Sequence, residues 1–255
     1  MNMLLRLFRR LFRRLSSRPP GQLILRVPAV VAFTLLFGCT GPPERPAEAP
    51  ASVPWPEFAP PQPNETTFRV DPANSELRIR VDPEGAMARL GHSHIIGGSV
   101  ISGTVILGDD DESARLDLGI DPSALEVDRP DWRAAEGLEA ELDQSAISGT
   151  RANMLGERVL NAEIHPEISV RSTAVSGPAW LPDVTARIRL RGTVREVIVP
   201  VSVERTARRL IASGKIDLLQ SDFGIEPFST AGGALRVSDR MRIRFRIVAE
   251  KVSQQ

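Results

Sequence analysis

The sequence predicts a mainly β fold: an antiparallel barrel of about eight strands with a short helical insert. Three observations lead there. First, aliphatic residues alternate with arginine. Leu77, Ile79 and Val81 alternate with Arg78 and Arg80; Ala186, Ile188 and Leu190 with Arg187, Arg189 and Arg191; Met241, Ile243, Phe245 and Ile247 with Arg242, Arg244 and Arg246. Val197, Val199, Val201 and Val203 keep the same period. Period two puts the apolar side chains on one face of a sheet and leaves the arginines facing water. Such a sheet must cover its apolar face, and curling into a barrel does so. Second, segments of strand character recur along the chain. Third, residues 133–160 break the alternation.

In chain order, residues 1–38 hold seven arginines (6, 9, 10, 13, 14, 18 and 26) and no acid, and end in the mostly apolar run from Val27 to Phe37. That is the order of a secretory signal, and the run is short for a membrane span. Leu36-Phe37-Gly38-Cys39 resembles a bacterial lipobox, with Phe37 where a small residue is usual. The expectation is a signal peptide over 1–38 and lipidation at Cys39, with an uncleaved membrane anchor as the alternative. Thr40 after the cysteine resembles the outer-membrane sorting case. Either way the folded part sits in the cell envelope, on the periplasmic face. Residues 39–65 then read as the lipidated cysteine plus a proline-rich tether, in which Trp55 and Phe58 are expected to stay solvated rather than dock.

The folded domain is expected over 66–252, ample for one core. Strands are expected near 67–71, 75–82, 94–107, 114–120, 167–176, 184–191, 195–204, 208–219 and 240–250. Gly97-Gly98 and Gly103 suggest bends in the long third segment. Ala134 to Leu142 and Ile147 to Leu160 have helical composition and are placed at a barrel mouth or against its wall.

Composition narrows the function. The formal net charge is zero, but removing the seven leader arginines from 32 basic residues leaves 25 against 32 acidic ones, a net of −7. A mildly acidic domain is a poor nucleic-acid binder. Cys39 is the only cysteine, so no intramolecular disulfide and no cysteine zinc site exists. No Gly-x-Ser-x-Gly elbow and no phosphate loop is present. Asp109-Asp110-Asp111-Glu112 lacks the spacing of a calcium loop and reads as a solvated hairpin turn.

The histidines are His92, His94 and His165. On an extended segment His92 and His94 share one face, an arrangement that suits metal ligands, with His165 as a possible third. The alternative is a pair at the barrel rim, bonded to backbone or capping a ligand cavity.

Several stretches together resemble the YceI-like family. They are Phe68-Arg69-Val70-Asp71-Pro72-Ala73-Asn74-Ser75; Leu90-Gly91-His92-Ser93-His94 followed by Gly97 and Gly103; Ile147 to Leu160 followed by His165-Pro166-Glu167-Ile168; Leu190-Arg191-Gly192-Thr193-Val194 followed by Val199-Pro200-Val201; and Gln220-Ser221-Asp222-Phe223-Gly224-Ile225 followed by Gly233 and Val237-Ser238-Asp239. The match runs over 66–251, in the variant that carries Gly-His-x-His. The insert from Trp132 to Leu160 looks longer than the family's minimal form. The resemblance implies a lipocalin-like eight-stranded barrel, periplasmic, that binds a polyisoprenoid chain such as the tail of a quinone or an isoprenoid alcohol.

The resulting expectation is an envelope carrier and not an enzyme. It has no cofactor beyond a polyisoprenoid or quinone-like ligand, and it meets the membrane through its N-terminal lipid anchor. Met154, Leu155, Phe223, Phe228, Ile243, Phe245 and Ile247 are the candidate lining, with His92, His94, Arg151 and His165 as polar candidates. The alternatives are a metal-binding or redox-related protein using His92, His94 and His165, and a ligand-free structural or stress module whose barrel fills itself with its own side chains.

Overall fold

The computed structural model describes residues 53–139 and 141–253. Cys39, the leader before it and the first part of the proline-rich stretch lie outside the described residues.

The first strand is kinked by its own sequence. β1 (Thr66–Val70) runs into Asp71-Pro72, where the Asp71 carboxylate accepts from the Ala73 N–H at 3.0 Å and one 3-10 turn forms. Ser75 closes the turn. Its buried hydroxyl donates to the Asp71 carbonyl at 2.7 Å and accepts from the Val248 N–H at 3.0 Å. β2 (Glu76–Val81) then continues in the same direction as a second half of that strand. β3 (Pro83–Glu84) is short, and β4 (His94–Gly98) and β5 (Ile101–Leu107) form another kinked pair. β6 (Arg115–Ile120) and β7 (Glu126–Val127) form a third, broken by a 3-10 turn at Pro122. The rest are β8 (Ile168–Ser176), β9 (Asp183–Leu190), β10 (Thr193–Arg205), β11 (Arg209–Leu219), β12 (Ser229–Thr230), β13 (Leu235–Val237) and β14 (Arg240–Lys251).

Neighbouring strands are antiparallel in the order β1, β5, β6, β8, β9, β10, β11, β14, and β14 pairs back onto β1 with Phe68 opposite Lys251. The sheet is therefore a closed eight-stranded up-and-down barrel. The other half of β14 pairs with β2, and β4 and β7 follow beyond it. β12, β13 and β3 form a small separate sheet that the alternation does not reveal.

Inward positions follow the period-two expectation. Ile243 stands opposite Ile79 and Ile216, and Phe245 opposite Leu77 and Gly214. A Cβ on Gly214 would lie 2.5 Å from the Phe245 ring, so glycine makes room for that ring. Gly97 and Gly103 serve as close-approach points: added Cβ atoms would lie 2.1 Å from the Leu77 carbonyl oxygen and 2.2 Å from that of Asp117.

Three expectations are corrected. The insert holds α1 (Pro130–Ala135) and α2 (Gln144–Leu155), each earlier than composition suggested. Pro130 presets the first turn of α1, and Gly137, at φ 68, follows its end. Asp143 caps α2 by accepting from the Ser145 N–H at 2.7 Å.

The outward arginines are not simply solvated. Trp132 lies 5.0 Å from the Arg78 guanidinium, and Glu136 pairs with both Arg80 and Arg244. The segment from residue 53 to 65 is docked as well. Trp55 lies 4.1 Å from the Arg189 guanidinium and 5.3 Å from that of Arg171, and Phe58 is 5.8 Å from Arg115. Arg187 donates to the Pro54 carbonyl at 2.6 Å and Arg171 to that of Pro56 at 2.9 Å. Proline-rich backbone has carbonyls to spare, and a row of arginines facing outward at every second residue supplies the donors and cation–π partners that hold it.

Candidate functional site

The barrel is hollow. A cavity of about 820 Å³ runs along its axis, within the range of small-molecule sites. Strand residues that point inward make its wall: Leu77 and Ile79 from β2, Val199 and Val201 from β10, and Ala212 and Ile216 from β11 are typical. At one end it reaches Leu90, His92, Phe228 and Leu235, and at the other Asp111, Trp180, Pro182 and Arg205. Leu90 and Trp180 are both about two-thirds exposed, at 68% and 66%, so each end presents apolar surface to solvent. Arg205 and Asp111 pair at 3.8 Å beside Trp180's end.

Of the residues named from sequence, His92, His94, Met154, Phe228, Ile243, Phe245 and Ile247 line this cavity. Phe228 also lies 5.2 Å from the Arg158 guanidinium.

Four do not line it. Phe223 is fully buried against Leu190, Leu218 and Ile225, which line the cavity although it does not. Leu155 packs against the main core cluster. Arg151 is exposed on α2 and donates to the Ser123 carbonyl at 2.6 Å, fastening the helix to the turn before β7. His165 sits beside Gly192 of the β9–β10 hairpin, with a Cβ at Gly192 falling 3.3 Å from its ring. Among the described residues no three histidine, cysteine, aspartate or glutamate side chains converge to hold a metal ion.

His94 has a partner that the sequence does not announce. Its Nδ1 lies 2.5 Å from Oδ2 of Asp128, whose side chain has no exposure. The other oxygen, Oδ1, accepts from the Ile95 N–H at 2.9 Å and from Nη1 of Arg133 at 2.8 Å. Arg133 is buried too, and donates further to the carbonyls of Ser93 and Glu139, each at 2.7 Å. Burial works against the charged carboxylate of Asp128, but the bonds from His94, Ile95 and Arg133 outweigh it and hold the group below its usual range. Asp128 also carries a left-handed φ of 55, a conformation Asp and Asn tolerate better than most residues. Nothing local in Val127-Asp128-Arg129-Pro130 marks this residue, because its partners come from β4 and α1.

One solved structure shares this fold. The solved structure of BcnA from Burkholderia cenocepacia is similar, with a TM-score of 0.51, 16% identity, and 70% of this chain and 98% of that chain covered. The Campylobacter jejuni YceI protein matches at a TM-score of 0.45 and 12% identity, over 60% of this chain and 82% of that one. No curated protein matches. A family model described as the YceI-like domain matches residues 68–249, and the chain belongs to the YceI-like family.

Proposed function

We propose that this protein takes up a long apolar molecule of the polyisoprenoid type along the barrel axis and sequesters or carries it in the bacterial envelope, tethered by a lipid at Cys39. The observation that carries this reading is the cavity itself: about 820 Å³, walled by aliphatic and aromatic side chains from strand after strand. A barrel that served only as a structural module would fill that space with its own side chains. Apolar surface buried at roughly 25 cal/mol per Å² supplies the driving force. An extended chain suits a long narrow cavity better than a compact ligand does. The role is binding rather than catalysis.

The test is native mass spectrometry of the full chain made in a bacterial envelope, with lipid extraction of the same sample. An apolar species of defined mass, lost in Phe245→Glu, is the expected result. A protein that arrives empty and takes up no added isoprenoid overturns the reading.

A further inference from the structure

The cavity wall is almost wholly apolar, yet one end carries a histidine whose ring is set by a buried charge pair. That contrast bears on the chemistry of the ligand's polar end.

Asp128 is ionised, so both of its oxygens only accept hydrogen bonds. Oδ1 is taken by the Ile95 N–H and Arg133, and Oδ2 faces Nδ1 of His94. Nδ1 must therefore carry a hydrogen and donate it. In that tautomer Nε2 holds a lone pair. The ring belongs to the cavity wall, and His94 makes no other side-chain hydrogen bond among the described residues. The wall thus offers an oriented acceptor at this end, in surroundings where a hydrogen bond counts for more than in water.

From this geometry we infer that His94 reads the head group of the ligand, and that the site selects apolar chains ending in a hydroxyl, as in an isoprenoid alcohol or a hydroquinone, over the matching carbonyl or ether. The inference rests on the proposed function and adds the head-group class to it. A hydroxyl donates to Nε2. A carbonyl or ether oxygen has no hydrogen to give and would face the lone pair directly, so it is rejected. Asp128 and Arg133 act as positioning residues, because they touch the ring and not the ligand.

The bond pattern makes an isosteric variant informative. In Asp128→Asn the amide oxygen stays with the two donors at the Oδ1 place, which leaves the NH₂ facing Nδ1. Nδ1 must then accept, and the ring hydrogen moves to Nε2. The wall changes from acceptor to donor without a change in shape.

The experiment uses the full chain in detergent and two probes with one hydrocarbon chain, farnesol and farnesal, with binding read by displacement of a fluorescent apolar dye. The wild type is expected to prefer farnesol about tenfold, the worth of one buried hydrogen bond. In Asp128→Asn the preference falls to near one or reverses. Should that variant fail to fold, His94→Phe keeps the Asp128–Arg133 pair, removes the acceptor and is expected to bind the two probes alike. Equal binding of both probes by the wild type overturns the inference while leaving the carrier reading intact. A farnesol preference that survives in His94→Phe also overturns it, since the reader is then another residue. Failure to bind either probe overturns both readings.

Discussion

Arg115 holds Glu65 through two parallel contacts, Nη1 to Oε1 at 2.6 Å and Nη2 to Oε2 at 2.7 Å. The pair joins the end of the proline-rich segment to β6, and the same guanidinium donates to the carbonyls of Ala59 and Pro60. One side chain thus fixes the last turn of the docked segment and the start of β1. Bonds from the Arg115 side chain, with the Gln62 N–H second, pull the Glu65 carboxyl down from 4.5 to about 2.

That depression sets the pH response of the docked segment. A carboxyl whose folded pKa is lowered contributes stability above its unfolded value, and the contribution is lost as pH falls through the folded value. The docking of residues 53–65 is expected to hold at neutral pH and to weaken between about pH 4.5 and pH 2. Glu65→Gln should loosen the segment already at pH 7. Protease cleavage within 53–65, followed with and without the substitution, reads this out. Equal resistance of wild type and variant at pH 7 would show that the Trp55 contacts alone hold the segment.

The buried pair of Asp128 and Arg133 is expected to behave as a unit. Arg133→Met leaves a carboxylate at zero exposure without its cation, which costs about 3–5 kcal/mol. The loss should shrink in acid. As the pH falls, protonation of Asp128 removes the unpaired charge in the variant, while the bonded carboxylate of the wild type, held below 3.8, keeps its charge longer. Urea midpoints of both proteins at pH 7 and pH 3 check this, and a constant difference between them would refute it.

The close-approach glycines give a test of the closed barrel. At Gly103, φ is 133 and an added Cβ would lie 2.2 Å from the Asp117 carbonyl oxygen and 2.8 Å from the Leu118 Cα. Neither atom belongs to a flexible side chain. Gly103→Ala is therefore expected to destabilise by more than about 2 kcal/mol. Gly232 is also at positive φ, but an added Cβ there has nothing within 4 Å. Gly232→Ala meets only the conformational cost, of about 1 kcal/mol. Denaturant midpoints that rank the two the other way would contradict the β5–β6 pairing.

The fold was largely legible because period two is a local signal. Val199, Val201, Ile243, Phe245 and their neighbours announce the inward face one residue at a time, and the strand ends fall within a residue or two of the alternation. The site was legible only in part. Wall residues on β14 follow from the same period. Phe223 does not, because it sits in a 3-10 turn after β11, where it packs against wall residues and is not one of them. Asp128 was invisible, since its role depends on α1 bringing Arg133 under β4. Trp55 and Phe58 depart from expectation for a related reason. Their composition favours a solvated tether, but the arginines that receive Trp55 are over a hundred positions away, on β8 and β9.

The hollow interior can be tested without knowing the ligand, through the sign of a stability change. Ala212 points into the cavity from β11, opposite Ile247 on one side and Val203 on the other. In a filled core, Ala→Phe at such a place forces neighbours apart and costs about 1–3 kcal/mol. In a void of about 820 Å³ the ring meets free space instead of side chains. It then removes apolar surface from a solvent-reachable space, a gain of up to about 2 kcal/mol. Ala212→Phe is expected to leave the unfolding midpoint unchanged or raised in delipidated protein, while binding of a long isoprenoid falls at least about tenfold, because the ring occupies the path of the chain. A lowered midpoint would mean that the walls cannot accept the ring. A raised midpoint with undiminished binding would place the ligand outside the barrel axis, against the carrier reading.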